Sequence, residues 1–409
     1  MHARTRSLRL LSAKPAFRLF ILGTLASSIG TWLAFVALVI DVFDRTADAR
    51  WVSALLVVDF LPIIAVGFFA APLVDRFRRR RILVGADLAR AAVFCALPFA
   101  TSALQIVALA LVAGVATSFF RPAAYAGLPN LVDDDELAQA NSLAQTAENA
   151  AFALGPLVGG ALVAAVGPDP AYWFNAVTFV ISAVLVLRIR ASFEAEERGP
   201  AEGHWRGLVA GLRFVLASRP LLTVLVAWSI VMFGFAGVNV AEVVLAKETF
   251  DAGDFGYGLL VGAGGIGLVA GSFLTAGIVE RRGLRLLYSV AIAVVGIGYG
   301  AAAASPGVWL AALFLVVAGF GNGSAVVCNA LLVQRGAPDR LRGRAFTVLM
   351  GASYSVLGLG MIAAGPLTNA VGARNVWGIA AGLCAAGAVA ALVLLGREAE
   401  EEPVAAGAL

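Results

Sequence analysis

The chain has 409 residues, of which 60% are hydrophobic and only 14% charged, and its mean hydropathy is +0.89. Soluble domains carry roughly a quarter charged residues, so this composition excludes a water-soluble fold: one core cannot hide so much apolar surface, and a bilayer must serve as solvent. The formal net charge of +4 is too small to argue for a nucleic-acid partner.

Windows of about twenty apolar residues predict helices near 17–42, 51–73, 82–101, 104–126, 138–166 and 170–188, then near 219–245, 255–279, 285–303, 307–333, 342–370 and 374–396. This is an all-α membrane protein with twelve transmembrane helices in two sets of six. The first apolar run, Leu19 to Ile40, is too long for a signal peptide and no cleavage site follows it, so it is read as span one. Basic residues crowd one set of loops: Arg4 to Arg18, Arg76 to Arg81, Arg188 to Arg219, and the segments after spans eight and ten. The opposite loops hold only Arg45, Arg50, Lys247 and Arg374, an asymmetry that sets both termini in the cytoplasm and fails if one span is miscounted. The one long polar insertion separates the halves, giving an N-terminal half 1–187, a cytoplasmic linker 188–218 and a C-terminal half 219–409.

At an offset near 205 the chain aligns with itself: Asp75-Arg76 with Glu280-Arg281, and Gly114 with Gly319. At an offset of 210, Gly155-Pro156-Leu157 finds an echo in Gly365-Pro366-Leu367. Such a repeat implies two six-helix halves related by an axis along the membrane normal, with a binding site near the midplane. Cys95, Cys328 and Cys384 lie in apolar runs without redox or metal spacing, so neither a disulfide framework nor a metal site is expected. Both histidines, His2 and His204, lie in polar segments, which leaves carboxylates to carry any proton.

The loop after span two reads Ala71-Pro72-Leu73-Val74-Asp75-Arg76-Phe77-Arg78-Arg79-Arg80, and span five carries Gly155-Pro156-Leu157-Val158-Gly159-Gly160. The first resembles motif A of the major facilitator superfamily and the second its antiporter motif C. Together with Phe119-Phe120-Arg121-Pro122 they are similar to the drug and siderophore exporter branch that includes macrolide efflux and enterobactin export proteins. The resemblance implies the major facilitator fold in an inner membrane and a gate on its inner side. In that gate Asp75 accepts hydrogen bonds from arginines among Arg76, Arg79, Arg80 and Arg121, and Asp87 and Arg90, three residues apart on one helix face, join it. It also implies that Gly155, Pro156, Gly159 and Gly160 form a flat, bent helix face between the halves.

An acid within a span costs roughly 2.5–3.5 kcal/mol on insertion scales and persists only opposite a cavity or a partner. Glu148, Asp59 and Glu242 are therefore candidates for proton coupling, with Glu148 favoured because some antiporters of the resembled family place a titratable acid on span five. Asp41, at the outer end of span one, is expected to be solvated. Trp32, Phe35, Asn175, Asn239, Asn322 and Asn329 are candidates to line an apolar substrate cavity.

The expected activity is secondary active transport, with a small-molecule substrate exported by alternating access. A proton, or in its place sodium, is the coupling ion, and the expectation includes no cofactor and a monomer within the lipid bilayer. A lipid or lysophospholipid transporter of the same fold and a non-transporting membrane sensor or scaffold are the alternatives. The chain has no P-loop, no HExxH and no nucleophile motif, which argues against ATP hydrolysis and against an intramembrane enzyme.

Overall fold

The computed structural model describes residues 10–65, 77–189, 204–277 and 283–395, and among them every regular element is helical. The first six spans are α1 (Pro15–Thr46), α2 (Ala49–Ala65), α3 (Arg79–Ala96), α4 (Ala103–Gly127), α5 (Leu137–Val166) and α6 (Asp169–Arg188). A further helix, α7 (His204–Ala217), precedes α8 (Arg219–Thr249), α9 (Gly253–Ala276), α10 (Leu284–Ala304), α11 (Val308–Gly336), α12 (Asp339–Val371) and α13 (Ala373–Leu394).

Eleven of these helices are long and apolar enough to cross a membrane. The twelfth span is α2, described as 17 residues whose expected continuation to residue 73 falls outside the described residues. Pro62, Pro122, Pro156 and Pro366 lie inside α2, α4, α5 and α12, which run through them as helix. Lipid-facing helices tolerate such prolines because neighbouring chain satisfies the freed backbone groups. Large apolar side chains are widely exposed, as at Phe273 (67%), Trp309 (69%) and Leu104 (65%). Such exposure suits acyl chains and would be an aggregation hazard in water.

The polar linker is partly structured. Residues 204–217 form α7, which packs on α12 with Gly211 against the Arg344 carbonyl and Val348. Val215 is buried on that side, while Val209, Leu212 and Leu216 are exposed on the other.

By packing, the chain forms two units: Met1–Gly199 with Ala246–Gly262, and Pro200–Leu245 with Ala263–Leu409. In the first, α1 packs on α5 and α6, α3 on α4 and α6, and α2 on α4. In the second, α8 packs on α12 and α13, and α10 on α11 and α13, which is the same pairing six spans later.

The repeat extends to single contacts at the offset of 205. Phe94 and Tyr172 pack as tilted rings with centroids 6.3 Å apart, and Tyr299 and Trp377, their counterparts, edge to face with centroids 5.8 Å apart. Arg80 donates to the carbonyl of Leu187 in the last turn of α6, and Arg285 to that of Leu392 in the last turn of α13. Gly167 and Gly372 end α5 and α12 at φ 80° and 82°, a left-handed turn that glycine alone adopts without strain.

Candidate functional site

The first unit holds a cavity of about 60 Å³, room for a few water molecules. Asp59 of α2, Arg90 of α3, Thr117 of α4, Thr31 and Phe35 of α1 and Phe179 of α6 contribute to its wall. Gly114 lets α4 approach α2 beside the acid: a Cβ there would come within 2.7 Å of the Val58 carbonyl and 3.4 Å of the Asp59 Cα. Close approach through a small residue is how membrane helices associate, and here it holds Asp59 at the cavity.

Arg90 is 5% exposed and Asp87 fully buried, and the guanidinium donates to Asp87 Oδ1 one turn away. The same guanidinium lies between the Phe120 and Phe179 rings, 4.3 Å from each centroid. Two aromatic faces and one carboxylate replace the water this cation has lost. The replacement is incomplete, because Asp87 Oδ2 and Arg90 Nε are buried without a partner among the described residues. Removal of one member of such a pair leaves a bare buried charge.

The three candidate acids thus have different surroundings. Asp59, half-buried, faces the cavity and makes no hydrogen bond or ion pair among the described residues. Glu148 on α5 is half-buried and accepts long bonds, 3.3 and 3.4 Å, from the Tyr125 hydroxyl. Glu242 on α8 is 8% exposed and likewise has no hydrogen bond or ion pair among the described residues.

The expected inner gate separates into parts. Asp75 and Arg76 lie outside the described residues, as does the second copy at Glu280 and Arg281. Arg79 donates to the Ala126 carbonyl at 2.9 Å, and Arg80 to that of Leu187. Both cap the C-terminal ends of helices, where the backbone leaves carbonyls unpaired. Arg121 is exposed, and Asp87 and Arg90 sit with the cavity group described above.

The glycines of the second motif act by close approach. A Cβ at Gly155 would meet Trp32 Cβ at 2.6 Å, and one at Gly159 the Leu33 carbonyl at 2.6 Å, so these two seat α1 on α5. A Cβ at Gly160 would meet the Gly258 Cα at 2.7 Å, so this glycine lets the start of α9 onto α5 beside Pro156 within the first unit.

Of the residues expected to line a substrate cavity, only Phe35 reaches the one described. Trp32 is half-buried against Phe35 and Phe152. Asn175 is fully buried between α6 and α1, with its Oδ1 accepting from Thr178 at 3.1 Å. Asn239 is half-buried and donates to the carbonyl of Phe235 on its own helix. Asn322 and Asn329 are half-buried on α11, with Asn329 Oδ1 unpaired among the described residues.

Asp41 departs from expectation. It is 5% exposed, accepts from Arg45 Nε at 2.6 Å and from the Tyr172 hydroxyl at 2.9 Å, and so is a buried, paired acid rather than a solvated one. The reason is that α1 runs on to Thr46, which places Arg45 one turn beyond Asp41 on the same face. A second group went unnoticed in the sequence: Lys247 bonds Asp44 and, at 2.6 Å, Asp254. The i,i+4 spacing of Asp41 and Arg45 was a readable signal, whereas nothing local joins Asp44 to Lys247.

Known proteins of the same architecture resemble this chain along nearly its whole length. A family model described as transmembrane secretion effector matches residues 10–407. The multidrug efflux pump Tap of Mycobacterium tuberculosis is 27% identical over 381 residues, 88% of each chain. The MFS-type transporter YfiS of Bacillus subtilis is 27% identical over 358 residues, 85% of each chain. Among solved structures, the nucleoside transporter NupG superposes with a TM-score of 0.77 at 13% identity, over 93% of this chain and 99% of its own. A bacterial homologue of the iron transporter ferroportin, in an inward-facing state, gives 0.75 at 14% identity, over 94% and 99%. At those identities the two structures speak to the fold alone. The chain belongs to the transmembrane secretion effector family of the major facilitator superfamily, and is a multi-pass membrane transporter rather than an enzyme.

Proposed function

We propose that this transporter exports amphipathic, drug-like molecules from the cytoplasm in exchange for protons, by alternating access of halves 1–187 and 219–409 joined by the linker 188–218. The observation that carries the reading is the similarity to the multidrug efflux pump Tap across 88% of both chains. Coupling to a proton needs an acid within the spans whose charge is not already cancelled. Among the described residues Glu242 is buried without a hydrogen bond or ion pair, Asp59 faces a cavity, and Glu148 holds only long bonds from Tyr125. A desolvated, unpaired carboxylate takes up and releases a proton more readily than one locked in an ion pair. Basic loops on one side support cytoplasmic termini in a bacterial inner membrane. One chain supplies both halves, so a monomer suffices.

The test is purified protein in liposomes carrying a pH gradient, challenged with tetraphenylphosphonium, a macrolide and a siderophore, with Glu148→Gln and Glu242→Gln beside the native chain. Export predicts that a member of the panel discharges the gradient and that at least one substitution stops it. Discharge that requires sodium replaces the proton as coupling ion. Silence toward the whole panel, with movement of a labelled lysophospholipid instead, overturns the drug reading in favour of a lipid transporter.

A further inference from the structure

We propose that α7 is an interfacial helix that binds anionic phospholipid, with Val209, Leu212 and Leu216 among the acyl chains and Arg213 at the headgroup phosphate. The lipid is held rather than carried, and its binding does not depend on the export reading.

α7 has 14 residues and two unlike faces. One seats the helix: Gly211 lies against the Arg344 carbonyl and Val348 of α12, and Val215, one turn on, is buried. On a second face Val209, Leu212 and Leu216 follow one another at spacings of three and four residues, and all three are exposed. On a span such a stripe meets lipid as a matter of course. α7 is not a span, so what covers its stripe depends on its depth.

Two attachments fix that depth. α7 runs to Ala217, the Ser218 amide still bonds the Phe214 carbonyl, and the next residue, Arg219, opens the span α8. At about 3.8 Å per residue this leaves no room for a stalk, so the C-terminal end of α7 lies where the chain enters the bilayer. Farther back, Gly211 touches residues 344 and 348, in the first turns of the span that begins at Leu341. Both attachments hold α7 at the level where spans begin, which is the headgroup region.

Charge selects the kind of lipid. Between His204 and Thr223 there is no Asp or Glu. Arg213, next to Leu212, is exposed and makes no hydrogen bond or ion pair among the described residues. Arg344 and Arg219 are exposed at the two attachments. A helix with an apolar stripe, arginine beside it and no acid to cancel the charge meets acyl chains and a phosphate together. Each arginine near an anionic surface favours it about fivefold. A free phosphate would satisfy Arg213 but leave the stripe bare. The linker acids Glu194, Glu196, Glu197 and Glu202 are the competing partner for Arg213.

The experiment uses the full-length protein in phosphatidylcholine nanodiscs, with the half-buried Cys95 changed to Ala and the buried Cys328 and Cys384 retained. A fluorophore is placed on Leu212→Cys and, as a lipid-facing reference, on Leu104→Cys. Brominated phosphatidylglycerol and brominated phosphatidylcholine are then added in turn at one mole fraction, and quenching is read. The expected result is at least about twofold more quenching at 212 by phosphatidylglycerol, an equal response to both lipids at 104, and a ratio at 212 closer to one when Arg213→Gln is added. Equal quenching by both lipids at 212, or a ratio untouched by Arg213→Gln, overturns the proposal. A label at 212 shielded from both lipids overturns it too, and acrylamide then tells whether water or the segment 190–203 covers the stripe. If Leu212→Cys fails to fold, Leu216→Cys on the same stripe takes its place. Silence of the liposome panel, which would sink the export reading, leaves this readout unchanged.

Discussion

The two units share a scaffold and differ in where they keep charge. Ring pairs, arginine caps and terminal glycines recur at one offset, so each half meets the same packing and capping requirements in the same way. The acids within the spans do not recur. In the first unit Tyr172 of the ring pair bonds Asp41, which Arg45 neutralises; in the second, Glu242, on the counterpart position of Ala37, has no hydrogen bond or ion pair among the described residues. What repeats is what helices need to pack in lipid, and what fails to repeat marks chemistry particular to one half.

That contrast breaks most sharply at the buried ion pair. Arg90→Met should destabilise the protein by roughly 3–5 kcal/mol by stranding Asp87, whereas the double change Asp87→Ile with Arg90→Val, which copies Ile292 and Val295 at the offset of 205, should cost within about 1 kcal/mol. Apparent Tm of the detergent-purified variants compares them, and an equal loss in both would mean that the first unit depends on its charges for folding. Next in size is the glycine seam of the second unit, where a Cβ at Gly319 would overlap the Gly264 carbonyl. Gly319→Val should cost roughly 1–3 kcal/mol as overpacking, visible as aggregation in size-exclusion profiles, since backbone cannot step aside. The caps should behave as twins. Arg80→Gln and Arg285→Gln should each lower Tm by a similar amount, about 1 kcal/mol, and any larger loss of transport in the first alone would assign Arg80 a gating role beyond its cap. The smallest effect is Tyr172→Phe, about 1 kcal/mol or less, for one hydrogen bond lost by Asp41 while Arg45 stays.

The span pattern was readable because length and hydropathy in a bilayer leave helices almost no alternative. Helix ends were less so, and the error mattered once: ending span one near residue 42 made Asp41 look solvated, while its pairing with Arg45 and Tyr172 depends on α1 running to Thr46. α7 was hidden by its polar flanks, although Leu208, Leu212 and Val215 carry a helical spacing. Glycine motifs could be recognised, but their partners at Trp32, Leu33 and Gly258 could not, because close approach is a property of pairs distant in sequence. For the same reason the cavity was invisible: five helices converge on it, and Asp59 and Arg90 share no local pattern. Asp87 and Arg90 were paired correctly by spacing, yet their place beside Asp59 needed the fold.

The allocation of residues 246–262 to the first unit has a consequence for synthesis. That unit is not a contiguous piece of chain: α1 to α6 are complete by residue 188, but the segment that bonds Asp44 through Lys247 and lays Gly258 near Gly160 follows the linker and comprises the end of α8 and the start of α9. At roughly 5–20 residues per second, a ribosome needs several more seconds to deliver it. Until then the first six spans wait in the membrane with the Gly160 face of α5 uncovered, open to lipid or to a membrane chaperone.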